Sequence, residues 1–567
     1  MNIFNNIKEV IINILKDNIE KENSNILSAI TCEQPKNLKF GDVSSNVLML
    51  LKKKDKKYGK EFQYLFIKNL KASGLFDKVD YKEPGFLNFT LKKVQWFKLL
   101  LEIHNNNNYG FSNIGKGKKV NIEFISANPT GPLHVGHLRG AVFGDVLAKL
   151  MIKNGYNVTK EYYINDLGNQ IDNLFDTVKT HILNQIQNSN IKLSENMYKG
   201  KYLESIASQI IKEGKSNLSD LKLKDFVIEK VLDLIKNDLE RLGVKFDSYV
   251  SEKELSGSGY IKKTIDQLEK SNYLYRGFLE KPKAFDNKEW TKRKQLLFKS
   301  VSFGDDSDRP VKRNNGEWTY FASDIAYHNN KVLRGYDEII NIWGADHAGY
   351  IKRVDAALKA LGHTEVKFTV KLCQIVNLLE NNKAVKMSKR SGNYVLAKEI
   401  IDKIGKDVIR FFMLTRKNDA HLDFDLSKAV EESKENPIFY IQYAIARVNS
   451  LNRIIKEKKI SIEDFDISLF NKFNNNELDI IKTLSLWPKI IDSSVQFQEP
   501  HRIVYYLIEL ASLLHNYWSI GNSDKKMRII NQVDNSLTQA RVILVNGICS
   551  IIRSGLDIIS IKPMEKM

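Results

Sequence analysis

Two histidines three positions apart, His134 and His137, stand where the apolar run Val120–Ile125 gives way to a helical pattern from Leu138 to Ile152. The dipeptides Asn128-Pro129 and Gly131-Pro132 between them force a turn. A histidine pair at a helix N-terminus suits phosphate, because free N–H groups and the helix dipole favour anions there. Gly136 removes a side chain and leaves room for a flat ring against the backbone. The chemistry expected is ATP binding from Ala127 through Asn128, Pro129, Thr130, Gly131, Pro132, Leu133, His134, Val135 and Gly136 to His137. Metal ligation is an alternative for two such histidines, but no third ligand stands nearby in the chain. Ordinary polarity at a helix start is another, and it leaves the Gly and Pro punctuation unexplained.

A second cationic element lies far downstream. Lys386, Met387, Ser388, Lys389 and Arg390 follow a strand-like run, Lys371–Leu379, and a turn at Asn381-Asn382. Two lysines and an arginine in five residues, closed by Gly392, suit the β- and γ-phosphates of ATP and the charge on leaving pyrophosphate. One preorganised donor of that kind is worth roughly 2.7–4 kcal/mol in a transition state. Alone, such a cluster in a lysine-rich chain is usually a solvated surface loop. Its pairing with His134-Val-Gly-His137 favours the phosphate reading.

These elements resemble the two signatures of class I aminoacyl-tRNA synthetases. Ala127–Arg139, Tyr163–Gln170, Tyr320–Asp324, Trp343–His347, Asp423–Leu426 and Glu435–Tyr443 are similar to arginyl-tRNA synthetases in particular, and the likeness spans nearly the whole chain. Arg390 replaces the commoner serine of the class signature, a variant at home in this family, while Ile445 and Ala348 stand where histidines are common. The resemblance implies activation of L-arginine by ATP-Mg2+ and transfer to tRNA(Arg), with cognate tRNA required for activation and the 2′-hydroxyl acylated. It implies catalytic roles for His134, His137, Lys386 and Lys389, with Met387, Ser388, Arg390, Asp346 and His347 joining the ATP site. It also implies arginine recognition by Glu123, Asn128, Tyr320 and Asp324; an amide such as Asn128 suits the α-amino group or backbone of the amino acid.

The residue types agree with those roles. A guanidinium calls for carboxylates in bidentate geometry. Glu123 is a charge inside an otherwise apolar strand, and a solvent-facing strand position is its bland explanation. Asp324 follows Tyr320 by four positions on a helix start, where an N-cap is the alternative. Asp346 lies just beyond Ile339–Trp343, as His134 lies beyond Val120–Ile125, so both fit a crevice at the carboxyl ends of parallel strands. An N-cap is the alternative for Asp346 too.

The elements that must position these residues suggest an α/β fold: a Rossmann-like parallel-sheet catalytic domain, an α+β N-terminal domain and an all-α C-terminal bundle. The expected divisions are 1–112, a tRNA-contacting unit; 113–425, the catalytic domain, with a charged helical insertion at about 176–290; and 426–567, an anticodon-binding bundle. Asp407–Arg410 lies near the bundle's entrance. Phe439, Tyr440 and Tyr443 fit base stacking or, equally, core packing.

With 567 residues and a 43% hydrophobic share, the chain can bury several cores. A formal charge of +19 suits a polyanionic partner, although a Lys-, Asn- and Ile-rich composition raises charge by itself. Cys32, Cys373 and Cys549 are scattered, which argues against disulfides and a structural zinc and fits a reducing compartment. Met1–Lys21 has the pattern of an amphipathic helix rather than a signal peptide, and Val542–Ile552, broken by Asn546, is too short to span a bilayer. A cytoplasmic monomer with no membrane contact is expected.

Other classes remain open on residues alone. A cysteinyl synthetase would be expected to carry a zinc-binding Cys/His set, and a glutamyl synthetase lacks the Glu123 and Tyr320–Asp324 context. A small-molecule adenylyl transferase does not need the helical C-terminal domain. A basic RNA-binding scaffold does not need two phosphate elements in register.

Overall fold

The computed structural model describes residues 2–16, 24–279, 293–385, 395–461 and 466–566. At its centre are five parallel strands: β1 (Lys119–Phe124), β2 (Asn157–Ile164), β3 (Ser248–Ser251), β4 (Glu338–Gly344) and β5 (Lys367–Cys373). Their spatial order is β5-β4-β1-β2-β3. The strand order therefore reverses between β1 and β4, and a crevice opens beyond their carboxyl ends. Val120, Ile122 and Phe124 of β1 and Ile339 and Ile340 of β4 are fully buried, as expected of strands covered on both faces.

Helix α1 (Val135–Lys153) crosses from β1 to β2, and Gly144 lets it approach closely: a Cβ there would lie 2.3 Å from the Phe124 ring. Helix α2 (Tyr320–Leu333) precedes β4 and covers the other face of the sheet. Beyond β5, strand Val376–Glu380 pairs with Lys383–Ala384 around Asn381 and Asn382, both at positive φ, and the hairpin points the chain toward the second cationic element.

The insertion is not all helix. Helices Asn169–Gln187, Lys201–Lys212 and Asp220–Leu242 fill its first part, but the chain then returns to the sheet as β3. Strand Leu274–Phe278 next begins an antiparallel trio with Lys294–Phe298 and Arg309–Lys312. As an edge strand of Ser-Tyr-Val-Ser, β3 carries no apolar run, so periodicity does not reveal it.

An N-terminal unit holds a four-stranded antiparallel sheet. From Pro437 onward the chain is a helical bundle; Trp487 donates to the Tyr109 carbonyl at 3.1 Å, and Lys482 pairs with Asp42 at 3.0 Å, joining the two ends of the chain. Among the described residues no helix is long and apolar enough to cross a membrane.

Candidate active site

At the end of β1 the backbone leaves the sheet through Ile125 and Ser126, both at positive φ (68° and 39°), a strained turn for side chains with a Cβ. Ser126 is held on three sides. Its hydroxyl donates to Glu123 Oε1 and accepts from the Tyr163 N–H, each at 3.0 Å, and its carbonyl accepts from Asn165 at 3.1 Å. The chain then runs through the Pro/Gly turn to His134, which caps α1.

His134 Nδ1 accepts from the Gly136 N–H at 3.1 Å, and His137 Nδ1 accepts from the His134 N–H at 3.2 Å. With both Nδ1 lone pairs engaged, hydrogen bonding assigns the proton of each ring to Nε2, a donor suited to a phosphate oxygen. The rings lie 3.9 Å apart at 37°. Gly136 is required for this arrangement, since a Cβ would come within 2.9 Å of the His134 ring. The flat ring packed against Gly136 is thus His134's own imidazole.

Lys386, Met387, Ser388, Lys389 and Arg390 lie outside the described residues, but the segments on both sides of them are tethered. Val385 donates to the Leu378 carbonyl at 2.9 Å. On the far side, Val135 donates to the Val395 carbonyl at 3.3 Å, Ala397 donates to the Leu133 carbonyl at 2.9 Å, and His134 and Leu396 form an isolated antiparallel bridge. Backbone pairing therefore joins the first signature to the segment that closes the second.

Beyond the carboxyl ends of β1 and β4 opens a cavity of about 460 Å3, within the range usual for small-ligand sites. Its lining includes Glu123, Asn128, Gln170, Glu252, Tyr320 and Asp324. It holds three carboxylates and, among the described residues, neither lysine nor arginine. Tyr320 and Asp324 share a face of α2, whose N-cap is Thr319, so Asp324 is not a cap. Burial, with the Glu252 and Glu123 carboxylates, pushes the Asp324 carboxyl up to about 8 against a partial pull from Arg353. Burial and Asp166 push Glu252 up to about 7, while a hydrogen bond with Ser323 pulls it back.

Beneath the cavity, Glu123 lies in register with Asn341 of β4 and Glu161 of β2. Lys331 of α2 reaches Glu123 Oε2 at 2.5 Å and Asn341 at 3.0 Å. Arg334 forks onto Glu161 at 2.5 and 2.9 Å, and the Tyr327 hydroxyl donates to Glu161 at 2.7 Å. Two carboxylates thus meet two cations under the sheet. Burial pushes the Glu161 carboxyl up, but Arg334, Lys331 and Tyr327 hold it below its ordinary range. His328 is pushed down to about 4 by burial and Lys331, and is neutral. Glu123 accordingly faces inward, not toward solvent.

The cavity is acidic, and comparisons with known proteins say which family its chain resembles. Three family models match: arginyl tRNA synthetase N-terminal domain over residues 4–91, class I (R) tRNA synthetase catalytic domain over residues 100–433, and DALR anticodon-binding domain over residues 441–567. The arginine–tRNA ligase of Wolbachia sp. subsp. Brugia malayi is 43% identical, with the alignment covering 100% of both chains. The chain belongs to the arginyl-tRNA synthetase family. The arginine–tRNA ligase of Rickettsia peacockii is 42% identical to this synthetase, again over 100% of both. A Thermus thermophilus arginyl-tRNA synthetase structure covers 100% of each chain with a TM-score of 0.72 at 18% identity, a likeness of fold.

The remaining sequence-derived candidates of this synthetase are placed as follows. Asn128 donates to Gln170 at 2.7 Å at the cavity wall, and the Ala127 carbonyl accepts from Tyr162 at 2.8 Å. His347 lines the cavity, whereas the Asp346 side chain projects into solvent beside it at 3.6 Å, in a turn capped by Gly344. Three further residues were not among the candidates. Glu252 follows β3 directly, so it was hidden with that strand. Gln170 stands at the end of Tyr163–Gln170, a family-like run that offered a signal. Arg139 is a fully buried charge in an apolar helix; it donates to the carbonyls of Gln374, Lys417 and Ala420 at 2.7–3.0 Å, tying α1 to the end of β5 and to the turn before strand Leu422–Asp425.

Proposed function

We infer that this synthetase is an arginine–tRNA ligase that works in two steps within one crevice. The arginine carboxylate attacks the α-phosphate of ATP, entering as its Mg2+ complex, and yields arginyl-adenylate and pyrophosphate. The terminal ribose hydroxyl of tRNA(Arg) then attacks the activated carbonyl and releases AMP. The single observation that carries the reading is the backbone pairing of Leu133–Val135 with Val395–Ala397 together with a cavity walled by Glu123, Glu252 and Asp324.

No protein nucleophile is required; positioning and charge stabilisation supply the rate. His134 and His137 would offer Nε2–H to the phosphates, and Lys386 and Lys389 would meet the departing pyrophosphate, with Met387, Ser388 and Arg390 completing the loop. The turn from Ala127 to Leu133 would skirt the nucleotide, with Asp346 and His347 at its ribose side. Asp324, with Tyr320 beside it, would take the guanidinium over the Glu123–Lys331 pair, and Asn128 the α-amino group. Glu252 adds a third carboxylate to that recognition.

The unit 1–112 would contact the body of the tRNA and the bundle 426–567 its anticodon arm. Tyr443 supports the second assignment: it stacks on His515 at 5.3 Å, with the Arg447 guanidinium 4.3 Å from its ring, a cationic aromatic surface suited to unpaired bases. The setting proposed is a cytoplasmic monomer, and the three free cysteines suit a reducing compartment.

The test is ATP–pyrophosphate exchange with each amino acid, with and without tRNA. Exchange driven by arginine alone among the amino acids, and dependent on tRNA(Arg), is expected. Exchange driven by another amino acid would sink the assignment.

A further inference from the structure

The inserted helix Asp220–Leu242 ends against the first signature turn and the helix Ala397–Ile404, and its last two turns carry the contacts. Asp238 is 4% exposed, and its Oδ2 accepts from the Leu133 N–H at 3.1 Å. The carbonyl of the same Leu133 accepts from Ala397, the first residue of helix Ala397–Ile404. One peptide unit on each side of a buried leucine is thus held, one by the insertion and one by the segment closing the second signature. Three positions beyond Asp238, Arg241 pairs with Asp402 of helix Ala397–Ile404. A second inserted helix, Lys201–Lys212, grips the same turn: the Tyr202 hydroxyl donates to the Thr130 carbonyl at 2.6 Å and sits where a Cβ on Gly131 would approach to 2.9 Å.

We propose that Asp238 is a positioning residue for ATP, through which the insertion holds the first signature turn in the register that the second signature's segment requires, with Tyr202 as its auxiliary. The proposal rests on the reading of that turn as the nucleotide site. Asp238 does not touch nucleotide; it fixes the Leu133 amide, and so the approach to His134 and the start of α1. A buried carboxylate that merely satisfied one N–H would affect stability, with no bias between the substrates. Burial raises the Asp238 carboxyl's pKa, while the Leu133 N–H, Arg241 and Lys398 lower it, so the helix after the second signature acts on it electrostatically as well.

The experiment is ATP–pyrophosphate exchange on the full chain with cognate tRNA, for wild type, Asp238→Ala, Asp238→Asn and Tyr202→Phe, with melting followed in parallel. Asp238→Ala is expected to raise the KM for ATP about tenfold, the scale of one lost buried hydrogen bond, and to leave the KM for arginine within about twofold. Asp238→Asn should restore most of the loss, because its amide oxygen can still accept from Leu133. Tyr202→Phe should raise the ATP KM about threefold with unchanged melting. Equal rises for both substrates, or an Asn variant no better than Ala, would overturn the proposal. If Asp238→Ala does not fold, Tyr202→Phe and Asp238→Asn decide: an unchanged ATP KM in Tyr202→Phe overturns it. A wild type without arginine-dependent exchange would overturn the site reading and the proposal together, whereas an active wild type with unaltered variants overturns the proposal alone.

Discussion

Lys331 and Glu123 meet at 2.5 Å beneath the central sheet, both buried, and through them helix α2 is bonded to the strand that ends at the active site. Glu161, held by Arg334 and Tyr327, lies beside them in register. The cluster stands two negative against two positive, so its value lies in completeness: taking one charge away strands the others in a medium that solvates them poorly.

Lys331→Met is therefore expected to destabilise the fold by about 3–5 kcal/mol, since Glu123 would lose its cation while remaining buried. Chemical denaturation measures this. The double variant Lys331→Met/Glu123→Gln should recover part of the loss, because the uncompensated charge is then gone. Strict additivity of the two substitutions would contradict the coupling.

If the cavity takes arginine as proposed, Asp324 and Glu252 are expected to give its binding a pH dependence. With carboxyls pushed up to about 8 and about 7, the folded, empty cavity keeps protons at a pH where unfolded carboxyls have lost theirs. Raising pH from about 6 to 9 removes them and leaves like charges together, so the stability of the empty protein from this pair falls across that window. Guanidinium binding favours the ionised forms, so the Kd for arginine should fall over the same window, by at most about tenfold per unit for each proton released. Calorimetric titration of arginine between these limits tests the sign, and Glu252→Gln should flatten the curve.

Lys389→Ala is expected to lower the rate of ATP–pyrophosphate exchange by about two orders of magnitude, the scale of one lost transition-state donor, while the Kd for tRNA stays within about twofold. Comparable losses in both measurements would refute a role on the pyrophosphate.

Gly144→Ala tests the closeness of α1 to β1. Alanine is the better helix former by about 1 kcal/mol, yet its Cβ would sit 2.3 Å from the buried Phe124 ring. Overpacking of that kind costs about 1–3 kcal/mol, so net destabilisation is expected, with a lower Tm by calorimetry. A raised Tm would show that the ring can move aside.

Local chemistry was legible in the chain itself. The turn at His134, Gly136 and His137, where a strand gives way to a capped helix, is readable because capping and glycine's missing Cβ are properties of neighbours in sequence. Glu123 was visible as a charge out of place in an apolar strand, and Asp324 by its four-residue spacing from Tyr320 at a helix start. Tertiary structure alone decided what those carboxylates face. Lys331 lies 208 positions from Glu123, and no local pattern says which cation will neutralise which buried acid. Nor could periodicity find Glu252, whose strand of Ser-Tyr-Val-Ser is ordered by its neighbour β2 rather than by its own residues. The sharing of Leu133 between Asp238 and Ala397 was equally hidden, since main-chain groups look alike in every sequence. Residue types specify which groups can do chemistry; only the folded sheet sets the distances and burial that give each one its charge and its partner.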